Sequence, residues 1–171
     1  MALTSHIMPY DPQWPTRFKA DKPSIASAFG EDLIAIHHVG STAVPGLAAK
    51  PEIDVLVEVH NHHCASARDR VLIDLGYRRG SDLTPDHHFY RRDVQNDRTH
   101  KLHVCRQGHV SIARMLGFRD LLRQDPALRQ QYQSLKLQLE ASNVNGMAEY
   151  LEKKAPFIIE TLLKAGVIAS R

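Results

Sequence analysis

Two short runs of β-branched and apolar residues, separated by a segment that contains proline and glycine, constrain the fold of this chain most strongly. The first run, Leu33–Val39, ends at Gly40, and the second is Ile53–Val59. Runs of this length and composition predict strands buried in a core. Because Pro45 and Gly46 lie between them, any helix in the connection is short and much of it is loop.

Helices are expected before and after these strands. Apolar residues at helical spacing predict a first helix from Trp14 that ends before Gly30 and is bent at Pro23. A second helix ends at Gly76, since glycine is favoured just past a helix end. The predicted apolar face of this second helix consists of Cys64, Ala67, Val71, Leu72 and Leu75.

The rest of the chain predicts more strands and then a helical part. Tyr77–Arg79 is predicted as a third strand, and His87–Val94 and His100–Arg106 as an antiparallel hairpin around residues 95–98. Asp125 followed by Pro126 is typical of a helix start, and the last third is helical. The expected fold class is therefore α+β (α/β): a mixed sheet with flanking helices and a helical C-terminal part, in a single domain over residues 1–171.

Composition excludes several classes of protein. The 171 residues include only two cysteines without a C-x-x-C pair, and no secretory leader pattern is present, so a cytoplasmic location is expected. No apolar stretch approaches the roughly 20 residues that cross a bilayer. With 22 Lys and Arg against 19 Asp and Glu, the net charge of +3 makes nucleic acid an unlikely partner. A phosphorylated small molecule would suit a mildly basic site equally well.

The end of the first strand and the start of the second carry the residues with chemical potential. Gly40 allows a sharp exit from the sheet, and Ser41 and Thr42 can present hydroxyl and backbone N–H groups to a phosphate, although Gly-Ser also occurs in plain turns. Glu52 and Asp54 are two residues apart, so they project from one face of the strand, roughly 6–7 Å apart. Both can reach one hard cation, Mg²⁺ or Mn²⁺.

This arrangement resembles the nucleotidyltransferase superfamily signature, in which a hydrophobic residue and Gly-Ser precede an acidic–hydrophobic–acidic triplet by about ten residues. The stretch HVGSTAVPGLAAKP at 38–51 is further similar to the GrpB-like family of that superfamily, as are PYDPQWP at 9–15, FRDLLR at 118–123 and YQSLK at 132–136. The resemblance implies a nucleotidyltransferase fold over nearly the whole chain. Glu52 departs from the family pattern, which has an apolar residue there.

The resemblance also implies that a later strand offers His103 where active superfamily members often carry a third carboxylate. Alternation with Leu102 and Val104 places His103 on the face opposite to theirs, where it is a metal ligand, a general base or a hydrogen-bonded histidine of the sheet. Lys50 directly precedes the acidic strand and is expected to hold a phosphate, unless it is a solvated loop lysine. The histidine tract at 60–63 is read as exposed surface and not as a zinc site.

Two functions follow from these residues. In the first, Glu52 and Asp54 hold Mg²⁺ or Mn²⁺ on a nucleoside triphosphate, Gly40, Ser41, Thr42 and Lys50 bind its phosphates, and Asp54 or His103 helps to deprotonate an acceptor hydroxyl. The product is the acceptor carrying a nucleoside monophosphate. In the second, the protein is a catalytically inactive regulatory module that binds a nucleotide or a CoA precursor, and the missing third carboxylate favours it.

Overall fold

The computed structural model describes residues 6–169 and has a five-stranded mixed sheet at its centre. Residues 1–5 and 170–171 of the predicted domain lie outside the described residues. The strands are β1 (Leu33–Val39), β2 (Ile53–Val59), β3 (Tyr77–Arg79), β4 (His87–Val94) and β5 (Asp97–Arg106). Their order is β1-β2-β5-β4-β3, with β2 and β5 parallel and all other neighbours antiparallel. The predicted α+β class with a mixed sheet is confirmed.

Helices cover both faces of this sheet. The five α-helices are α1 (Trp14–Ala26), α2 (Ala65–Asp74), α3 (Val110–Gln124), α4 (Pro126–Ala141) and α5 (Met147–Lys164). Alternate residues of β2 pack with α1 and α2, as shown by one buried cluster that contains Trp14, Val55 and Leu72. The opposite face of β2 presents Leu56, which packs with Ile112 of α3. Among residues 6–169, no helix has the length and apolarity needed to span a membrane.

Helices α4 and α5 pack beside the loop between β1 and β2. Val44 and Leu47 of this loop are fully buried in one cluster with Tyr132 of α4, and Phe157 of α5 packs against it. The predicted helix start is observed, since the Asp125 carboxylate accepts a hydrogen bond from Leu128 N at 3.0 Å. This packing brings two C-terminal helices against the segment that carries the predicted site.

Two local predictions need correction. The turn between β4 and β5 is shorter than predicted: only Gln95 and Asn96 lie between the strands, and both have positive φ, 52° and 70°. Two such residues form a hairpin turn whose twist matches that of the strands, so pairing continues up to the turn.

The buried face of α2 also differs from the predicted apolar face. Ala67 and Val71 are exposed, while Arg68 is buried because its guanidinium donates to the Tyr90 hydroxyl at 3.0–3.1 Å.

Candidate functional site

The exit from β1 lies directly beside the Asp54 carboxylate of β2. Val39 pairs with Asp54 across the antiparallel strands, so Gly40 follows next to the Asp54 side chain. Gly40 has a φ of +72°, and a Cβ at this position would lie 2.5 Å from Asp54 Oδ2. Both the backbone conformation and the close approach therefore require glycine here.

Ser41 and Thr42 have different surroundings, although they are adjacent in a short 3₁₀ turn, Ser41–Ala43. The buried Thr42 hydroxyl donates to the Glu52 carbonyl oxygen at 3.2 Å and lies 2.9 Å from His38 Nε2. Thr42 thus ties the loop to the start of β2. The Ser41 hydroxyl instead accepts a hydrogen bond from Lys136 Nζ at 3.1 Å. Of the two hydroxyls, Ser41 is the one that faces other polar side chains of the site.

Glu52 and Asp54 lie together as predicted, but in different environments. The Glu52 side chain is only 4% exposed and forms an ion pair of 2.6 Å with Lys101 Nζ. The Asp54 side chain is 22% exposed, and its Oδ1 lies 4.0 Å from His103 Nε2. Burial raises the pKa of Asp54 despite the opposing charge of Lys101. Asp54 is therefore the carboxylate of the pair with the more open access to solvent.

His103 is held between Asp54 and a second histidine. Its Nδ1 is 2.9 Å from His87 Nε2, and burial lowers the pKa of His103 to about 3. The ring is neutral near pH 7, which suits a metal ligand or a hydrogen-bond acceptor. A base with so low a pKa holds a proton poorly, which weakens the case for His103 as general base.

Four lysines from four different elements converge on these carboxylates, and we name them the lysine cluster. Its members are Lys50 in the loop before β2, Lys101 on β5, Lys136 on α4 and Lys154 on α5. Besides Ser41, Lys136 Nζ donates to the Ala48 carbonyl at 2.5 Å. The Lys50 ammonium lies 5.1 Å above the Tyr150 ring and has no hydrogen-bond partner among residues 6–169.

Burial changes the ionisation of the lysine cluster. It lowers the pKa of Lys136 to about 7, and the charge of Lys154 contributes in the same direction. It lowers the pKa of Lys154 to about 8, with a further contribution from Lys101. The pKa of Lys50 is also lowered by burial, against the attraction of Glu52. Packed ammonium groups of this kind are stabilised by any anion that enters among them.

The structure thus adds three lysines to the site residues predicted from the sequence. Lys101, Lys136 and Lys154 lie outside the segment 38–57, which carries the predicted phosphate-binding and metal-binding residues. One signal was present for Lys136, because it lies one helical turn after Tyr132 on the buried side of α4. A lysine within an apolar helical stripe indicates either a buried ion pair or a ligand site. A nearby cavity of about 310 Å³, lined by Met8, Ala48 and Gln133 among others, does not include the carboxylates.

Comparison with known proteins shows the family to which this chain belongs. The family model described as "GrpB protein" matches residues 4–164. The chain belongs to the GrpB family. The UPF0157 protein YqkA of Bacillus subtilis is 36% identical over 153 residues, which are 89% of this chain and 44% of that protein. The chain therefore spans less than half the length of this GrpB relative.

Solved structures of two kinds of protein share this fold. The conserved protein GrpB from Enterococcus faecalis superposes with a TM-score of 0.84 at 28% identity, over 94% of this chain and 99% of that one. The Cid1 poly(U) polymerase, in a structure described as bound to MgATP, superposes with a TM-score of 0.57 at 13% identity, over 86% of this chain and 50% of that one. At this identity the likeness concerns the fold alone, and the fold is of the nucleotidyltransferase type.

Proposed function

We propose that the lysine cluster and Asp54 bind a nucleoside triphosphate or another phosphorylated small molecule. The observation that supports this most directly is the convergence of four ammonium groups on the Glu52–Asp54 pair. Glu140 also acts on two of these lysines, so three carboxylates face four ammonium groups. A phosphate would balance this positive excess, and its negative charge would offset the desolvation that lowers the pKa values of Lys50, Lys136 and Lys154.

We further propose that a Mg²⁺ or Mn²⁺ ion is held at Asp54. A hard cation takes oxygen ligands and is commonly held by one or two carboxylates together with substrate phosphates. Asp54 would supply the protein carboxylate, because Glu52 already pairs with Lys101. When bound, the ion would neutralise charge on the phosphates. Glu52 remains a predicted second ligand, and it would reach the ion only by exchanging its contact with Lys101.

Binding without turnover is the function that the geometry supports best. Lys101 and His103 occupy the strand expected to offer a third carboxylate to the Glu52–Asp54 pair, and the ion pair with Lys101 neutralises Glu52. The regulatory module that binds a nucleotide or a CoA precursor is therefore our first proposal.

Nucleotidyl transfer is the second candidate, and the open Asp54 next to Gly40 and Ser41 favours it. In that reaction an acceptor hydroxyl oxygen bonds to the α-phosphorus and the bond to pyrophosphate breaks. The hydroxyl proton passes to Asp54 or to solvent. The Cid1 structure described as bound to MgATP makes ATP a suitable first probe.

A thermal-shift experiment on the full chain tests binding, with nucleoside triphosphates and dephospho-CoA as probes in the presence of Mg²⁺, Mn²⁺ or EDTA. At 100 times the dissociation constant, a ligand should stabilise the native state by about 2.7 kcal/mol. Pyrophosphate release with candidate acceptors then distinguishes the enzyme from the module. Stabilisation unaffected by EDTA would remove the metal from the proposal, and the absence of stabilisation by every phosphorylated probe would refute the binding site.

A further inference from the structure

A second group of potential ligands lies further along β5, beyond His103. Cys105 is paired in register with His87 of β4, and both side chains are buried. His109 precedes α3 as its N-cap and reaches the same place. One potential ligand atom from each of these three residues lies within 4.8 Å of the other two. The sheet register and the start of α3 therefore create this group from three separate segments.

We propose that His87, Cys105 and His109 bind a transition-metal ion, with Zn²⁺ as the first candidate and water as the fourth ligand. Imidazole nitrogen and thiolate sulfur are the donors that Zn²⁺ prefers, whereas Mg²⁺ and Mn²⁺ prefer oxygen. The site is thus chemically distinct from the one proposed at Asp54. Three protein ligands leave one tetrahedral position open, as in zinc sites that bind a water or a substrate. On binding, the metal–sulfur bond replaces the thiol S–H bond and the proton passes to solvent.

The surroundings of the two histidines support this proposal. His87 Nε2 lies 2.9 Å from His103 Nδ1, and His109 Nε2 lies 3.0 Å from the Thr84 hydroxyl. Histidines that bind metals usually make such a hydrogen bond through their second ring nitrogen, which fixes the orientation of the ring. His109 is held further by Ser111 N, which donates to its Nδ1 at 3.1 Å. If the metal binds His109 Nδ1, the hydrogen bond from Ser111 N is lost and the metal–nitrogen bond replaces it.

Metal titration of the chelator-treated full chain tests the inference, with Zn²⁺ for stoichiometry and Co²⁺ as the spectroscopic probe. We expect one Zn²⁺ per chain and a thiolate-to-cobalt absorption band. Cys105→Ser should abolish the band, and His109→Asn should weaken Zn²⁺ binding at least about tenfold. Asparagine is a good N-cap residue, so His109→Asn should keep α3 intact, which circular dichroism verifies.

The chain offers matched controls for both variants. Cys64→Ser changes the other free cysteine, which is exposed. His60→Asn combined with His63→Asn changes two exposed histidines of the 60–63 tract. Both controls should bind Zn²⁺ as the unmodified chain does. Substoichiometric binding by the unmodified chain, or equal loss in a control and in His109→Asn, would overturn the inference and indicate adventitious surface binding.

Discussion

At the scale of single residues, Glu52 directly precedes β2 and Asp54 lies on it, and the two carboxylates have different roles in stability. We expect Glu52→Gln to lower the free energy of unfolding by about 1–3 kcal/mol, because Lys101 loses its charged partner. Asp54→Asn should leave this free energy unchanged or slightly higher, since burial raises the Asp54 pKa and therefore disfavours its charge. The same variant should sharply reduce Mg²⁺-dependent nucleotide binding, and Glu52→Gln should reduce it less.

Urea unfolding and ATP thermal shifts with Mg²⁺ measure both effects. If Asp54→Asn unfolds the protein, Asp54 is a structural group and the metal proposal fails.

At the scale of one helix, α4 inserts a buried cation beside the loop that follows β1. Among residues 6–169, the Lys136 ammonium donates hydrogen bonds to Ser41 and Ala48, and burial lowers its pKa to about 7. We expect Lys136→Met to raise the free energy of unfolding by about 1 kcal/mol, because an apolar side chain of similar length avoids burial of charge. The same substitution should weaken phosphate binding at least tenfold, which calorimetric titration with ATP measures.

Lys19→Met provides the control, because Lys19 is exposed on α1. Lys19→Met should leave the free energy of unfolding and the ATP affinity unchanged. Unchanged ATP affinity in Lys136→Met would separate α4 from ligand binding.

At the scale of the whole molecule, buried histidines should determine how the protein responds to acid. Burial lowers five histidine pKa values from 6.5 to about 4 at His38, His87, His88 and His100, and to about 3 at His103. Between pH 6.5 and 4 the unfolded chain therefore binds more protons than the native one, so stability falls as the pH falls. Urea unfolding across this range should show a steep decrease in the free energy of unfolding.

Burial also lowers the pKa values of Lys136 and Lys154 to about 7 and about 8. Above these values the unfolded chain binds more protons than the native one, so the free energy of unfolding should rise further toward pH 10. His38→Gln should reduce the acid slope, whereas the exposed His63→Asn should not. A slope unaffected by His38→Gln would show that this ring is not buried in its neutral form.

The sequence by itself determined the strands β1 and β2, with limits that the structure reproduces, and the placement of Gly40, Ser41, Glu52 and Asp54 at their facing ends. These features depend on side-chain alternation and on short-range turn chemistry, which are local properties of the chain. Only the tertiary structure decided that Lys136, 95 residues away from Ser41 in sequence, donates to its hydroxyl. It likewise brought Lys101 to Glu52 and His109 to Cys105. Contacts between distant segments depend on how helices pack against the sheet, and the periodicity of one segment carries no information about which side chain of another will meet it.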